Sequence, residues 1–130
     1  RALVPGERQM SDAQLKAVIA RDGVIGAAMD SWMLYPDWVK GETDPAVVTL
    51  EKVVDQIEHV CDLAGGTRNA GLGTDLDGGF GKEQTPHDLE TIGDLGRVGE
   101  ILSGRGYSDE AVAAIMHGNW LRFLRDLLPA

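Results

Sequence analysis

Two short runs of small and apolar residues, 24–29 (VIGAAM) and 69–75 (NAGLGTD), flank one long stretch of helical periodicity, and this arrangement constrains the chain more than any other feature. The first run lies between Gly23 and Asp30 and does not alternate apolar with polar, so it reads as a buried parallel strand. The second is a shorter strand candidate that ends in the glycine-rich loop 75–81. Between them Leu50, Val53, Val54, Ile57, Val60, Cys61 and Ala64 fall on one face at a 3.6-residue period, with Thr49 as candidate N-cap and Gly65 just past the end. Strand, helix, strand in that order builds a parallel α/β sheet. Two buried strands cannot complete such a sheet, because each outer edge leaves backbone groups unpaired. The strands therefore need partners from elsewhere, either an upstream part of the chain or another copy, as in a homodimer.

The other elements fit the same plan. Ser11 and Gln14 form a capping-box pattern ahead of Leu15, Val18 and Ile19, which predicts a short helix closed by Gly23. Residues 31–45 hold Trp32, Tyr35 and Trp38 among Pro36, Gly41 and Pro45, and read as a structured loop. Leu89, Ile92, Leu95 and Leu102 suggest a helix reaching Gly104, loosened by Gly93, Gly96 and Gly99. Ser108 caps a further helix containing Val112, Ile115 and Met116, and the tract Trp120, Leu121, Phe123, Leu124, Leu127, Leu128 carries on to Pro129. The expected order is helix, strand, helix, strand, helix, helix, with no internal repeat.

At 130 residues, 43% hydrophobic and 25% charged, the chain reads as a single globular segment, 1–130. Its 21 acidic against 12 basic residues give a net charge of −9, and no basic run is present to track a phosphate backbone, which argues against nucleic acid as a partner. No apolar run approaches the roughly 18 residues of a membrane span, and the first residues lack a signal-peptide plan. A cytoplasmic setting is favoured. The chain opens without Met on Arg1, so an upstream targeting segment stays open and the chain reads as a piece of something longer. The single cysteine, Cys61, has no disulfide partner and reads as a buried thiol.

In parallel α/β folds ligands bind beyond the carboxyl ends of the strands, which brings forward Asp75 and Asp77. A carboxylate there, with glycines admitting a ligand, serves as general acid or base or as a metal ligand; equally, it starts an Asx-turn. The segment 75–86 is no calcium loop, having Phe80 and Pro86 where that motif needs Gly and Glu, and Gly71-Leu72-Gly73 lacks the third glycine of a dinucleotide fingerprint. His59, His87 and His117 form no local metal pair. His59 is expected on the solvent side of the long helix, His117 near a helix end, and His87 either beside a ligand or at a helix start. Arg8, in the loop before the first helix, suits a carboxylate or is simply solvated.

Taken in order, the stretches RALVPGERQMS (1–11), TLEKVVDQIEHVCDLA (49–64), GLGTDLDG (71–78), and the ending from RGYS (105–108) to GNWLR (118–122) resemble the membrane dipeptidase, or renal dipeptidase, family. The resemblance covers essentially the whole chain and implies the C-terminal part of a (β/α)8 barrel of TIM type that holds two zinc ions. It places the zinc ligands upstream of Arg1: a His-x-Asp pair, a bridging Glu and two later histidines, the last in a His-Ser motif four residues before Arg1. No histidine here matches a ligand, so this segment is expected to supply no metal ligand. Arg8 aligns with the arginine that grips the free carboxylate of a dipeptide, and Asp75 with the aspartate that takes a proton from the metal-bridging water and passes it to the leaving amine. Asp77 aligns with a loop-structural aspartate. Gln9 stands where the family commonly has Asn, and Pro86-His87-Asp88-Leu89-Glu90 departs from a more usual Pro-Glu-Gly-Leu-Glu-Asp. The implied activity is zinc-dependent hydrolysis of dipeptides, including those with a C-terminal D-residue, with Trp32, Tyr35 and Trp38 either shaping a side-chain pocket or packing. The 130 residues alone are expected to be inactive. The rival readings are a non-catalytic α/β ligand-binding or assembly module and another metal-dependent amidohydrolase.

Overall fold

A computed structural model of the chain describes residues 1–128. Two strands, β1 (Ile25–Ala27) and β2 (Ala70–Leu72), pair in parallel with Ile25 opposite Ala70 and Ala27 opposite Leu72. Both are shorter than the apolar runs that contain them, although the ladder continues in the Met29 N–H, which donates to Thr74 O at 3.0 Å. Ile25, Ala27 and Met29 direct their backbone groups to β2 or its extension. The alternate residues Gly26 and Ala28 therefore direct theirs to the opposite edge, where no strand pairs among the described residues.

The helices are α1 (Asp12–Ile19), a single turn α2 (Ser31–Leu34), α3 (Leu50–Ala64), α4 (Gly96–Gly104), α5 (Asp109–Ala113) and α6 (Asn119–Leu127). The Ser11–Gln14 capping box forms as expected, and Gly65 ends α3 in the left-handed region at φ 69°. Leu50, Val53, Val54 and Ile57 are fully buried against Met29, Val48, Val98, Leu102 and Ile115, so α3 is the spine of the core. Thr49 occupies the N-cap position, but the cap hydrogen bond comes from a distance: the Leu50 N–H donates to Asp88 Oδ1 at 2.9 Å.

Four expectations need correcting. The aromatic loop contains α2, with Ser31 and Leu34 buried. Leu89 is buried but precedes the helix, and Ile92 sits on a 3-10 turn, 76% exposed; with Gly93 and Gly96 nearby, the chain does not hold an α-helical face until α4. His117 is not at a helix end, because α5 and α6 run together through a π-helical segment, Ala114–Gly118. The final tract is helical only as far as Leu127, with Leu121, Leu124, Leu127 and Leu128 exposed, and Pro129 lies outside the described residues.

α6 is tied to the sheet by polar side chains. Asn119 Nδ2 donates to Thr67 O (2.7 Å) and Ala70 O (2.8 Å), and Trp120 Nε1 donates to Leu72 O at 2.8 Å. At the amino ends of the strands Asp22 receives Arg68 through two bonds (2.7 and 2.6 Å) and Arg122 at 2.9 Å. The hydrogen bond from Arg68, with the Arg122 charge behind it, holds the Asp22 carboxyl below its ordinary pKa.

Candidate functional site

Because β1 and β2 are parallel, their carboxyl ends lie on one side, and the loops that follow them define the candidate site. Asp75 leaves β2 at φ 57°, in the left-handed region that L-residues other than Asn and Asp seldom visit. Its carbonyl accepts the Gly78 N–H at 2.8 Å, closing a tight turn. A Cβ at position 78 would fall 2.8 Å from the Asp75 carbonyl oxygen as well as 2.6 Å from its Oδ1, and the backbone contact is the one that favours the glycine. No cationic side chain among the described residues pairs with the Asp75 or Asp77 carboxylate, and both residues are exposed. Asp75 is thus turn-forming through its backbone while its carboxylate stays available.

Arg8 is exposed, and its guanidinium carbon lies 5.5 Å from the centroid of the Trp32 ring. Stacking of this kind orients the guanidinium and leaves its in-plane donors free for a carboxylate. The neighbouring Gln9 Nε2 donates to Met33 O at 2.9 Å and pins the same loop to α2. Trp32 is therefore a support for Arg8, whereas Tyr35 and Trp38 pack against the core. The sequence sets all three aromatics in one segment without this division, and the only local difference is that Trp32 stands nearest to Asp30.

A cavity of about 210 Å³ runs beside Arg8 and Gln9, lined by Ile25, Gly26, Ala27 and Ala28 and by Leu15, Ile57 and His59 from the helices. Successive strand residues face opposite sides of a sheet, so a cavity touched by four in a row lies along the strand's edge. It occupies the unpaired side of β1. Arg8 lines it and Asp75 does not, so these 128 residues do not bring the two site residues to one cavity.

The histidines are apart. His87 is exposed, and its N–H donates to Val48 O at 2.7 Å; His117 is exposed on the π-helical segment. His59 departs from expectation: it is only 22% exposed, with Nε2 2.9 Å from Asp12 Oδ1, because α1 packs across that face of α3. Cys61 is buried as expected, and burial pushes its thiol pKa up. No three His, Cys, Asp or Glu side chains among the described residues converge to hold a metal ion.

One buried polar residue at the strand ends was not singled out from sequence. Asp30, 6% exposed, stands three residues past the end of β1, and both its carboxylate oxygens lie 2.9 Å from Gln84 Nε2. Nearby, Lys40 Nζ reaches Glu83 Oε1 at 3.0 Å, so the loop after β1 is tied twice to the loop after β2. Backbone N–H donors at Glu83 itself and Gly81, with Lys40, lower the Glu83 pKa.

The sequence model of the membrane dipeptidase family (peptidase family M19) matches residues 1–128. The chain is 31% identical over 126 residues to the dipeptidase aclJ of Aspergillus oryzae, covering 97% of this chain and 28% of that protein. It is 27% identical to an uncharacterized protein encoded in the pqqA 5′ region of Klebsiella pneumoniae, covering 97% of this chain and 43% of the relative. Among solved structures it superposes on the metallopeptidase dipeptidase AC with a TM-score of 0.80 at 23% identity, covering 95% of this chain and 34% of the other. It also superposes on an amidohydrolase from Pseudomonas aeruginosa with a TM-score of 0.73 at 25% identity, covering 92% and 40%. The chain thus spans well under half the length of the proteins it matches, as a piece of their barrel-type α/β fold. With the family's pattern running from the first residue to residue 128, the chain belongs to the membrane dipeptidase family.

Proposed function

We propose that the intact protein hydrolyses dipeptides, including those whose C-terminal residue is D, and that this segment supplies the carboxylate grip and the proton carrier of the reaction. The observation that carries the reading is Arg8: an exposed guanidinium steadied over Trp32, with no carboxylate of the described residues bound to it. A planar fork of donors placed there takes the free carboxylate of a dipeptide through paired hydrogen bonds and selects against longer peptides, whose next residue removes that charge. Asp75, exposed and without a cationic partner, accepts a proton at its carboxylate and returns it to the departing amine. Two zinc ions, held by ligands outside this segment, would activate water and polarise the scissile carbonyl.

The test is a turnover assay on the intact natural polypeptide with L,L- and L,D-dipeptides, their C-terminal amides, and a chelator. Hydrolysis of the free-acid dipeptides, loss with the amides and loss on chelation are expected. Zinc-dependent turnover by the 130 residues alone would overturn the division of labour, and cleavage of the amides as fast as the acids would remove Arg8 from its role. Retained carboxylate binding with no turnover in the intact protein would instead favour a non-catalytic binding module.

A further inference from the structure

We propose that Asp30, through Gln84, positions the loop that carries Asp75. This rests on the dipeptidase reading for its catalytic consequence, while the tether itself is a property of the fold. The loop leaves β2 at Thr74, whose carbonyl accepts the Met29 N–H at 3.0 Å. It then passes through Asp75 and Leu76, whose side chain packs against the core, continues through the freely turning Gly78, Gly79 and Gly81, and returns at the 3-10 turn Lys82–Gln84. There Gln84 Nε2 lies 2.9 Å from both oxygens of Asp30. Met29 and Asp30 are consecutive, so both ends of the Asp75 loop are fastened to one point at the carboxyl end of β1.

The chemistry of the fastening indicates a specific role. A carboxylate that is 6% exposed and meets one neutral amide, with no ion pair among the described residues, is a costly way to fill space, and an apolar residue of that size would stabilise the fold more. Helix capping does not explain it: the Asp30 side chain makes no cap hydrogen bond to α2, and the Met33 N–H is taken by the Asp30 backbone carbonyl. The parallel link, Lys40 to Glu83, is more than half exposed at both side chains and is weakened by solvent and salt. The buried link therefore sets the loop's place, and with it the direction of the Asp75 carboxylate.

The test uses the intact polypeptide and two readouts: dipeptide kinetics, and amide hydrogen exchange across the loop 76–81 compared with α3. Gln84→Ala should lower kcat about ten- to a hundredfold with KM nearly unchanged, the cost of misplacing a reacting group. It should also speed exchange in the loop about tenfold while α3 stays protected. Asp30→Ala should do the same, the double variant should be no worse than either single one, and the pair Asp30→Asn with Gln84→Glu, which reverses donor and acceptor, should recover most of the loss. Unchanged loop exchange in Gln84→Ala, or faster exchange shared equally by α3, would overturn the tether. Slowed loop exchange lost with kcat intact would overturn its catalytic consequence. Absence of turnover in the unsubstituted protein would sink the dipeptidase reading, and the exchange pattern would still decide the tether.

Discussion

Gly26 on β1 and Gly73 just beyond β2 meet backbone to backbone: a Cβ built on Gly26 would fall 2.8 Å from the Gly73 Cα, and one built on Gly73 would fall 3.1 Å from the Gly26 Cα. Neither neighbour is a side chain that can swing away. Gly26→Ala should therefore push the strands apart next to Asp75 and cost about 1–3 kcal/mol, the usual penalty for overpacking. Urea unfolding of the variant beside the parent protein checks this; an unchanged midpoint would show that the sheet yields freely.

Kinetics separates the two site residues. Arg8→Ala should raise KM for dipeptides with kcat largely retained, since a grip on the carboxylate serves ground state and transition state alike. Asp75→Asn should leave KM and folding intact and lower kcat by about a hundredfold or more, because the amide cannot carry the proton. Trp32→Ala should reproduce a milder Arg8→Ala, because it removes the surface that steadies the guanidinium. A Trp32 variant with wild-type KM would sever that connection.

Alkaline pH acts on Tyr107 beside the buried Cys61. Burial, with the nearby Cys61 and Glu58, pushes the Tyr107 phenol up to about 12 from its ordinary value of 10.0. The folded chain keeps this proton through a range in which the unfolded chain has lost it, so the contribution to stability is whole below pH 10 and is lost as pH rises towards 12. Unfolding midpoints measured between about pH 9 and about pH 11 should fall, and Tyr107→Phe should flatten that part of the slope.

Arg105, at the end of α4, binds Glu51, Asp55 and Glu58 along one side of α3. Partial burial opposes its charge, yet the hydrogen bonds it donates to the three carboxylates raise its pKa above the usual arginine value. Arg105→Ala should lower stability by about 1 kcal/mol after allowance for solvent screening, and added salt should shrink the difference. Thermal unfolding at low and high ionic strength measures both.

Local rules carried the reading of the long helix and the first cap. α3 begins and ends where the 3.6-residue period and Gly65 place it, and the Ser11–Gln14 box forms. What could not be read depends on distant partners. The Leu50 N–H is capped from Asp88, His59 is covered by α1, and Asp30 is answered by Gln84; each pair lies at least 38 residues apart in sequence. The exposure of the α6 leucines is hidden from the sequence for a different reason. Their spacing reports an apolar face faithfully but says nothing about what covers it, and nothing among the described residues does. Arg8 and Asp75 are proposed from resemblance and loop position, whereas the packing of Arg8 over Trp32 needed three dimensions.

The π-helical segment Ala114–Gly118 fits one more residue into its turn than an α-helix would, and every side chain after it is rotated by roughly a hundred degrees relative to regular winding. Asn119 and Trp120 reach the backbone of β2 because of that rotation. Straightening this segment into regular α-winding at the same length would swing both side chains off the strand, whereas removing one residue from it would restore regular winding and leave both side chains facing β2. A relative one residue shorter at this segment is therefore expected to run a regular α-helix here and to keep the residues equivalent to Asn119 and Trp120 on the sheet, while a one-residue gap with the wide turn retained would mark a protein whose final helix meets the sheet in a different way.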